Sequence, residues 1–213
     1  MAYKRNQIEE AIARLFDPKS EVVPVDLRTR IKRLFELDRF LGRSVRSKDP
    51  ELANYAFFSD DAPGTGADIS FSEYDAFALL NGLRLMAHGW PQGFAVSIMR
   101  KIRAELENEH ARILKQNPDE LFDERAIRQK ARPGDIAVNN IDPVFLTLVS
   151  KMQGAREGTQ IAPTPGVCRG ALRVSEFARA VGASSMSLFE VATLAHQLHV
   201  ELRRTEPRRR GRA

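Results

Sequence analysis

Four interruptions cut the first 118 residues into pieces of helix length: Asp17-Pro18, Gly42, Gly89-Trp90-Pro91 and Asn117-Pro118. Proline lacks the backbone N–H and clashes with the turn before it, and glycine ends a helix cheaply, so each interruption reads as a stop. Between the stops, apolar residues recur at helical spacing. Ile8, Ala11, Ile12, Leu15 and Phe16 share one face over residues 4–16. Leu27, Ile31, Leu34, Leu37 and Leu41 share another behind Asp26 as a cap. Phe77, Leu80, Leu83 and Met86 come after a capping box at Ser72 and Asp75, with Asp where Glu is usual. Ile98, Met99, Ile102, Leu106 and Ile113 continue the pattern over 94–115, and a short helix is expected over 123–130. A chain divided in this way folds mainly as α-helix.

Strand signals are fewer. Residues 55–58 and 68–71 are β-prone and flank Asp-Asp-Ala-Pro-Gly-Thr-Gly, which predicts an acidic hairpin over about 54–71. Residues 136–138 and 144–149, joined by Asn-Asn-Ile-Asp-Pro, predict a second hairpin. Residues 153–170 are rich in Gly, Pro, Thr and Ala and read as an exposed linker. The expected fold is α+β, mainly α-helical, with a helix-bundle-like core and two small antiparallel hairpins. Its expected organisation is a helical domain over 1–132, a smaller α+β unit over 133–204 and a basic disordered tail over 205–213.

Charge is distributed in blocks. The tail carries Arg203, Arg204, Arg208, Arg209, Arg210 and Arg212 against Glu206, which matches the whole chain's net charge of +5. Residues 27–48 hold eight basic residues and two acids, whereas residues 49–83 hold seven acids and no base. On the helix over 27–41, Arg28, Lys32 and Arg39 fall within an arc of roughly 40°, continued by Arg43 and Arg46. Guanidinium and ammonium groups so placed suit phosphate contacts. The acidic block offers the opposite reading, in which the two stretches neutralise each other within one fold.

Other chemistries find little support. The single cysteine, Cys168, excludes an internal disulfide, and Arg173 stands five residues after it, one short of the spacing in a cysteine phosphatase loop. Gly-Thr-Gly lacks the Lys-Ser/Thr of a phosphate-binding loop, and Asp60, Asp61 and Asp68 miss the calcium-loop spacing. His196 and His199 stand three apart on a helix without a third ligand, and His88 and His110 fit helix termini and helix surfaces. No catalytic residue, metal or cofactor is expected. No apolar run approaches membrane-spanning length, and the basic start passes directly into Glu9, Glu10 and Arg14 rather than a signal sequence. A cytoplasmic protein of bacterial style is expected, without a membrane partner.

The stretch Val-Ser-Glu-Phe-Ala-Arg-Ala-Val-Gly-Ala-Ser-Ser-Met-Ser-Leu-Phe-Glu-Val-Ala-Thr, residues 174–193, carries a small residue at Ala178 and a glycine at Gly182 four positions later. Phe177, Val181, Ala183, Leu188 and Val191 frame them. Over these 20 residues the chain resembles the helix-turn-helix of bacterial transcriptional regulators. The resemblance implies that Ser184, Ser185, Phe189, Glu190 and Thr193 face a DNA groove, where Ser and Glu can contact phosphates or bases. A competing cap is present, because Ser187 and Glu190 fit a capping box for a helix beginning at Leu188. The functional expectation is therefore a DNA-binding regulator, with DNA ahead of RNA and a homodimer as a further option. The alternative is a protein-interaction module, supported by Phe189 and Val200 lying about 20° apart off the main apolar face of the last helix. An enzyme of unknown class stands third.

Overall fold

The computed structural model describes residues 2–20, 22–59, 69–118, 125, 143–151 and 163–207. Among them are eight helices and one three-stranded antiparallel sheet. The chain divides into two compact units, Met1–Arg103 with Gln197–Ala213, and Ala104–His196. The sequence-derived boundary near residue 132 lies outside the described residues.

The first unit contains α1 (Arg5–Phe16), α2 (Val25–Leu41), α3 (Pro50–Ala53), α4 (Glu73–Ala87) and α5 (Gln92–Lys101). Its core is apolar and aromatic. Ile8 and Ile12 of α1, Ile31, Leu34 and Phe35 of α2, Phe77 and Leu80 of α4, and Ile98 and Met99 of α5 are all buried. The capping box at the head of α4 forms: the Ser72 hydroxyl accepts from Asp75 N–H at 3.0 Å, and Asp75 Oδ2 accepts from Ser72 N–H at 2.8 Å. The helix expected over 94–115 is instead two helices. Its second part is α6 (Arg103–Ile113), and Ile102 caps α5 with φ −95° and ψ 3°.

The expected acidic hairpin is not formed by the described residues. Residues 55–58 make no strand, and Phe71 bridges Tyr3 instead, with reciprocal bonds of 2.8 and 2.9 Å. The backbone of 55–58 is satisfied by buried charges. Asp38 accepts from Ala56 N–H at 2.9 Å and Phe57 N–H at 3.0 Å, and Arg103 donates to Tyr55 O at 3.0 Å and Ala56 O at 3.3 Å. The loop over 60–68 lies outside the described residues.

The second unit holds α6 from Ala104 onward, β1 (Val144–Ser150), β2 (Thr164–Arg169), α7 (Gly170–Val181), β3 (Ser185–Glu190) and the first turn of α8 (Ala192–Arg204), whose remainder belongs to the first unit. The strand order is β2-β1-β3, both pairs antiparallel. One sheet thus replaces the two expected hairpins. The strand expected over 144–149 is present as β1, while 136–138 lies outside the described residues. The expected linker over 153–170 contains β2, because its two apparent breakers have places in the sheet. The Gly170 N–H donates to Pro143 O at 2.8 Å, so bonded positions on β2 fall at every second residue and Pro165 falls between them. Gly166 lies where Phe177 of α7 packs onto the sheet, and a Cβ there would stand 2.7 Å from the Phe177 ring. On the opposite face, Arg169 of β2 pairs with Glu109 of α6 at 2.6 Å.

Candidate nucleic-acid interface

Residues 174–193 do not form a helix-turn-helix. Gly182 ends α7 in the left-handed conformation, φ 68° and ψ 49°, as the turn reading requires. The next element, however, is the strand β3, paired with β1 from Phe145↔Glu190 to Ser150↔Ser185. The ladder joins residues some forty positions apart, and no local periodicity reports it. The candidate groove residues therefore have other roles. The Ser184 N–H donates to Ser150 O at 2.9 Å, Ser185 opens β3, and Glu190 Oε1 accepts from Ala192 N–H at 2.7 Å and Thr193 N–H at 3.1 Å. Glu190 thus caps α8 rather than reading a base, and the helix expected from Leu188 begins at Ala192. Phe189 is a buried strand residue and Val200 an exposed helical one, so the apolar patch they were expected to share does not exist.

The basic helix is present, and its composition explains which face it buries. Ile31, Leu34, Phe35 and Asp38 are the buried residues of α2. Allowing about 100° per residue, they occupy one sector of roughly 100° and leave the rest to solvent. Val25, Thr29, Glu36 and Phe40 form the outward ridge. Arg28 and Lys32 lie about 50–90° to one side of it, and Arg33 and Arg30 about 50–110° to the other. All four cations are exposed. Arg28 stands 3.8 Å from the buried Glu9, which pairs more closely with Arg5 at 2.7 Å. Lys32 stands 3.6 Å from Glu36 in a loose surface pair, and Arg30 and Arg33 have no carboxylate partner among the described residues. Arg30 and Arg33 were missed in the sequence because they fall outside the narrow arc of Arg28 and Lys32. No sequence signal marks them, because membership of the exposed face depends on which sector of α2 the core takes.

Two expected phosphate contacts turn inward. Arg39 is half-buried, with its guanidinium carbon 6.0 Å from the Phe58 ring centre and its Nε without a hydrogen-bond partner. Arg43 is half-buried over the Tyr55 ring at 5.4 Å. Arg46 remains exposed, and Arg208, Arg209, Arg210 and Arg212 lie outside the described residues.

The acidic block does not neutralise this helix through its described members. Asp49 accepts from Glu51 N–H at 2.9 Å, Glu51 pairs with Lys101 at 3.0 Å, Glu73 with His199 at 2.6 Å, and Asp75 with Arg103 at 3.1 Å. For Glu51, burial pushes the carboxyl upward, but the Ser97 hydroxyl, Lys101 and Arg100 outweigh it and hold the group below its ordinary value. Within α2 the acid Asp38 is also unavailable to the basic face. It is fully buried and bonded to Arg100 Nε at 2.7 Å, while Arg100 Nη2 donates to Asp38 O at 2.6 Å. Burial lifts its carboxyl above the ordinary aspartate value despite these donors. The core thus takes Asp38 and draws Arg39 inward with it, and the outward surface of α2 keeps Arg28, Arg30, Lys32 and Arg33 beside the exposed acids Asp26 and Glu36.

Cys168 is buried, and burial pushes its thiol above the ordinary value, which is the opposite of nucleophile activation. Among the described residues there is no cluster of three or more His, Cys, Asp or Glu side chains able to hold a metal, and no helix is long and apolar enough to cross a membrane. No family model matches this chain, and no curated protein does.

Proposed function

We propose that this chain binds nucleic acid, DNA ahead of RNA, in the manner of a transcriptional regulator, and that the contact is made by α2 rather than by residues 174–193. The observation that carries the reading is the group Arg28, Arg30, Lys32 and Arg33: four exposed cations on both flanks of one helix, away from the acidic block's described carboxylates. Cations in that arrangement release counterions when they meet phosphates, which supplies sequence-independent affinity. The test is electrophoretic mobility of mixed DNA fragments with the wild type and with a variant in which all four residues are Ala. The wild type should shift the fragments and the variant should not, with melting temperature nearly unchanged because the side chains are exposed. Ser185→Ala should shift them as the wild type does. A shift that survives the α2 variant and disappears with Ser185→Ala overturns the assignment.

A protein-interaction reading rests on a different observation. Met186 and Leu188 are exposed on β3, an edge strand of the described sheet, where a further strand can add. Sedimentation across a concentration series tests it: a single monomeric species for the wild type removes self-association through this edge.

A further inference from the structure

The nucleic-acid reading leaves open which form of the polymer α2 takes and what it reads. We infer that the N-terminal half of α2 enters the major groove of a DNA duplex and recognises thymine methyl groups through Val25 and Thr29; this rests on the proposed nucleic-acid binding by α2.

The two-sided distribution of charge decides the form of the ligand. A single strand offers one phosphate track, which a single basic flank satisfies. A major groove is bordered by two phosphate tracks, one on each strand. It is about 12 Å wide and admits one helix of about 10–12 Å diameter. Arg28 and Lys32 lie on one flank of the ridge, and Arg33 and Arg30 lie on the other with the exposed Asp26 between them in angle, so each strand meets a pair of cations and the second flank carries one carboxylate as well. All four fall within six residues, a rise of about 8 Å, which concentrates the contact in the first half of the helix. The aromatic residue on the ridge, Phe40, is 86% exposed but lies about 16 Å beyond Thr29 along the axis, where a straight helix has left the curved groove. A stacking platform for single-stranded bases would need that ring among these four cations.

The chemistry of the ridge sets what can be read. Between the two flanks the first half of α2 presents Val25, 75% exposed, and Thr29, also exposed. The Thr29 hydroxyl donates to Val25 O at 2.9 Å, so it is turned onto its own helix and leaves the methyl to face outward. The floor-facing surface is therefore apolar, without a hydrogen-bonding fork for guanine or adenine. The apolar feature of the major-groove floor is the thymine C5 methyl, which Thr and small apolar side chains contact. Burying one methyl contributes about a fourfold gain in affinity.

The experiment compares an alternating dA·dT duplex with its dA·dU counterpart, which lacks only the methyls, by fluorescence anisotropy at fixed salt. The wild type should bind dA·dT at least about fourfold more tightly. Val25→Ser with Thr29→Ser replaces the outward methyls and keeps the hydroxyl bond at position 29, so this variant should bind both duplexes equally, with the wild-type salt dependence and nearly the wild-type melting temperature. Salt-dependent binding that is equal for the two duplexes in the wild type overturns the methyl reading and leaves nucleic-acid binding by α2 intact. Tighter binding of single-stranded oligothymidine than of either duplex overturns the groove assignment. Absence of binding to every nucleic acid, with or without capture by phosphatidylserine vesicles, overturns the underlying reading and this inference with it.

Discussion

Replacing Arg100 with Met removes the cation from the most buried ion pair among the described residues of the first unit while keeping a long apolar stem. Arg100 is 2% exposed and Asp38 0% exposed. The change deletes the Nε–Oδ1 bond of 2.7 Å and the Nη2–Asp38 O bond of 2.6 Å, and leaves the Asp38 carboxylate facing only the Ala56 and Phe57 N–H groups. Each charge-assisted bond contributes about 1.5–3 kcal/mol, and breaking one side of a buried pair costs about 3–5 kcal/mol. Against a total stability of about 5–15 kcal/mol, that is a large share. The loss should depend on pH with a definite sign. Burial already raises the folded-state value of Asp38 above its ordinary 3.8, and removing Arg100 raises it further. A carboxyl raised in the folded state favours folding when protonated, so the penalty should grow as pH rises through the raised value and shrink as pH falls towards 3.8. Urea denaturation of both proteins at pH 4.5 and pH 7.5 measures this. Adding Asp38→Asn to Arg100→Met should recover most of the loss at pH 7.5, because the buried charge is gone and one acceptor remains. A cost below about 1 kcal/mol that is the same at both pH values would refute the claim that this pair holds α2 to residues 55–58.

Three further outcomes are expected. Gly182→Ala should destabilise by more than about 1 kcal/mol in thermal melts, since φ of 68° is strained for any residue with a Cβ. Glu190→Ala should lower stability by about 1 kcal/mol by removing the acceptor for Ala192 and Thr193 N–H, whereas Ser187→Ala should have a much smaller effect; a capping box at Ser187 would require both changes to destabilise. Cys168 should react with iodoacetamide at pH 8 only as fast as the protein opens, so urea should accelerate labelling in parallel with unfolding; rapid labelling of the native protein would contradict its burial.

What could be read from the sequence was what local physics decides. Asp17-Pro18 and Gly42 end α1 and α2, and the Ser72–Asp75 box opens α4, because these are settled by residues within one turn, whereas the expected cap Asp26 lies inside the first turn of α2, which begins at Val25 after Pro24. The sheet was misread wherever pairing is remote. Ser-Met-Ser-Leu-Phe-Glu fits a helical pattern by itself and becomes β3 only because β1 is there to pair with it. Pro165 and Gly166 look like linker residues until an edge position and the Phe177 ring account for them. Charge was the other illegible quantity. Asp38 and Arg100 look like surface residues in a linear string, yet both are buried, and Arg39 and Arg43 are drawn onto aromatic rings. The basic face of α2 was visible in outline, but its membership depended on which sector the core takes.

The central claim is that four exposed side chains of α2 meet phosphates, and the slope of log binding constant against log salt concentration tests it most directly. With Arg28, Arg30, Lys32 and Arg33 each neutralising one phosphate of a duplex, α2 should contribute about −3.6 to that slope. The variant with all four replaced by Ala should lose that contribution. A wild-type slope near zero, or an unchanged slope in the variant, would contradict the assignment of α2 as the nucleic-acid interface.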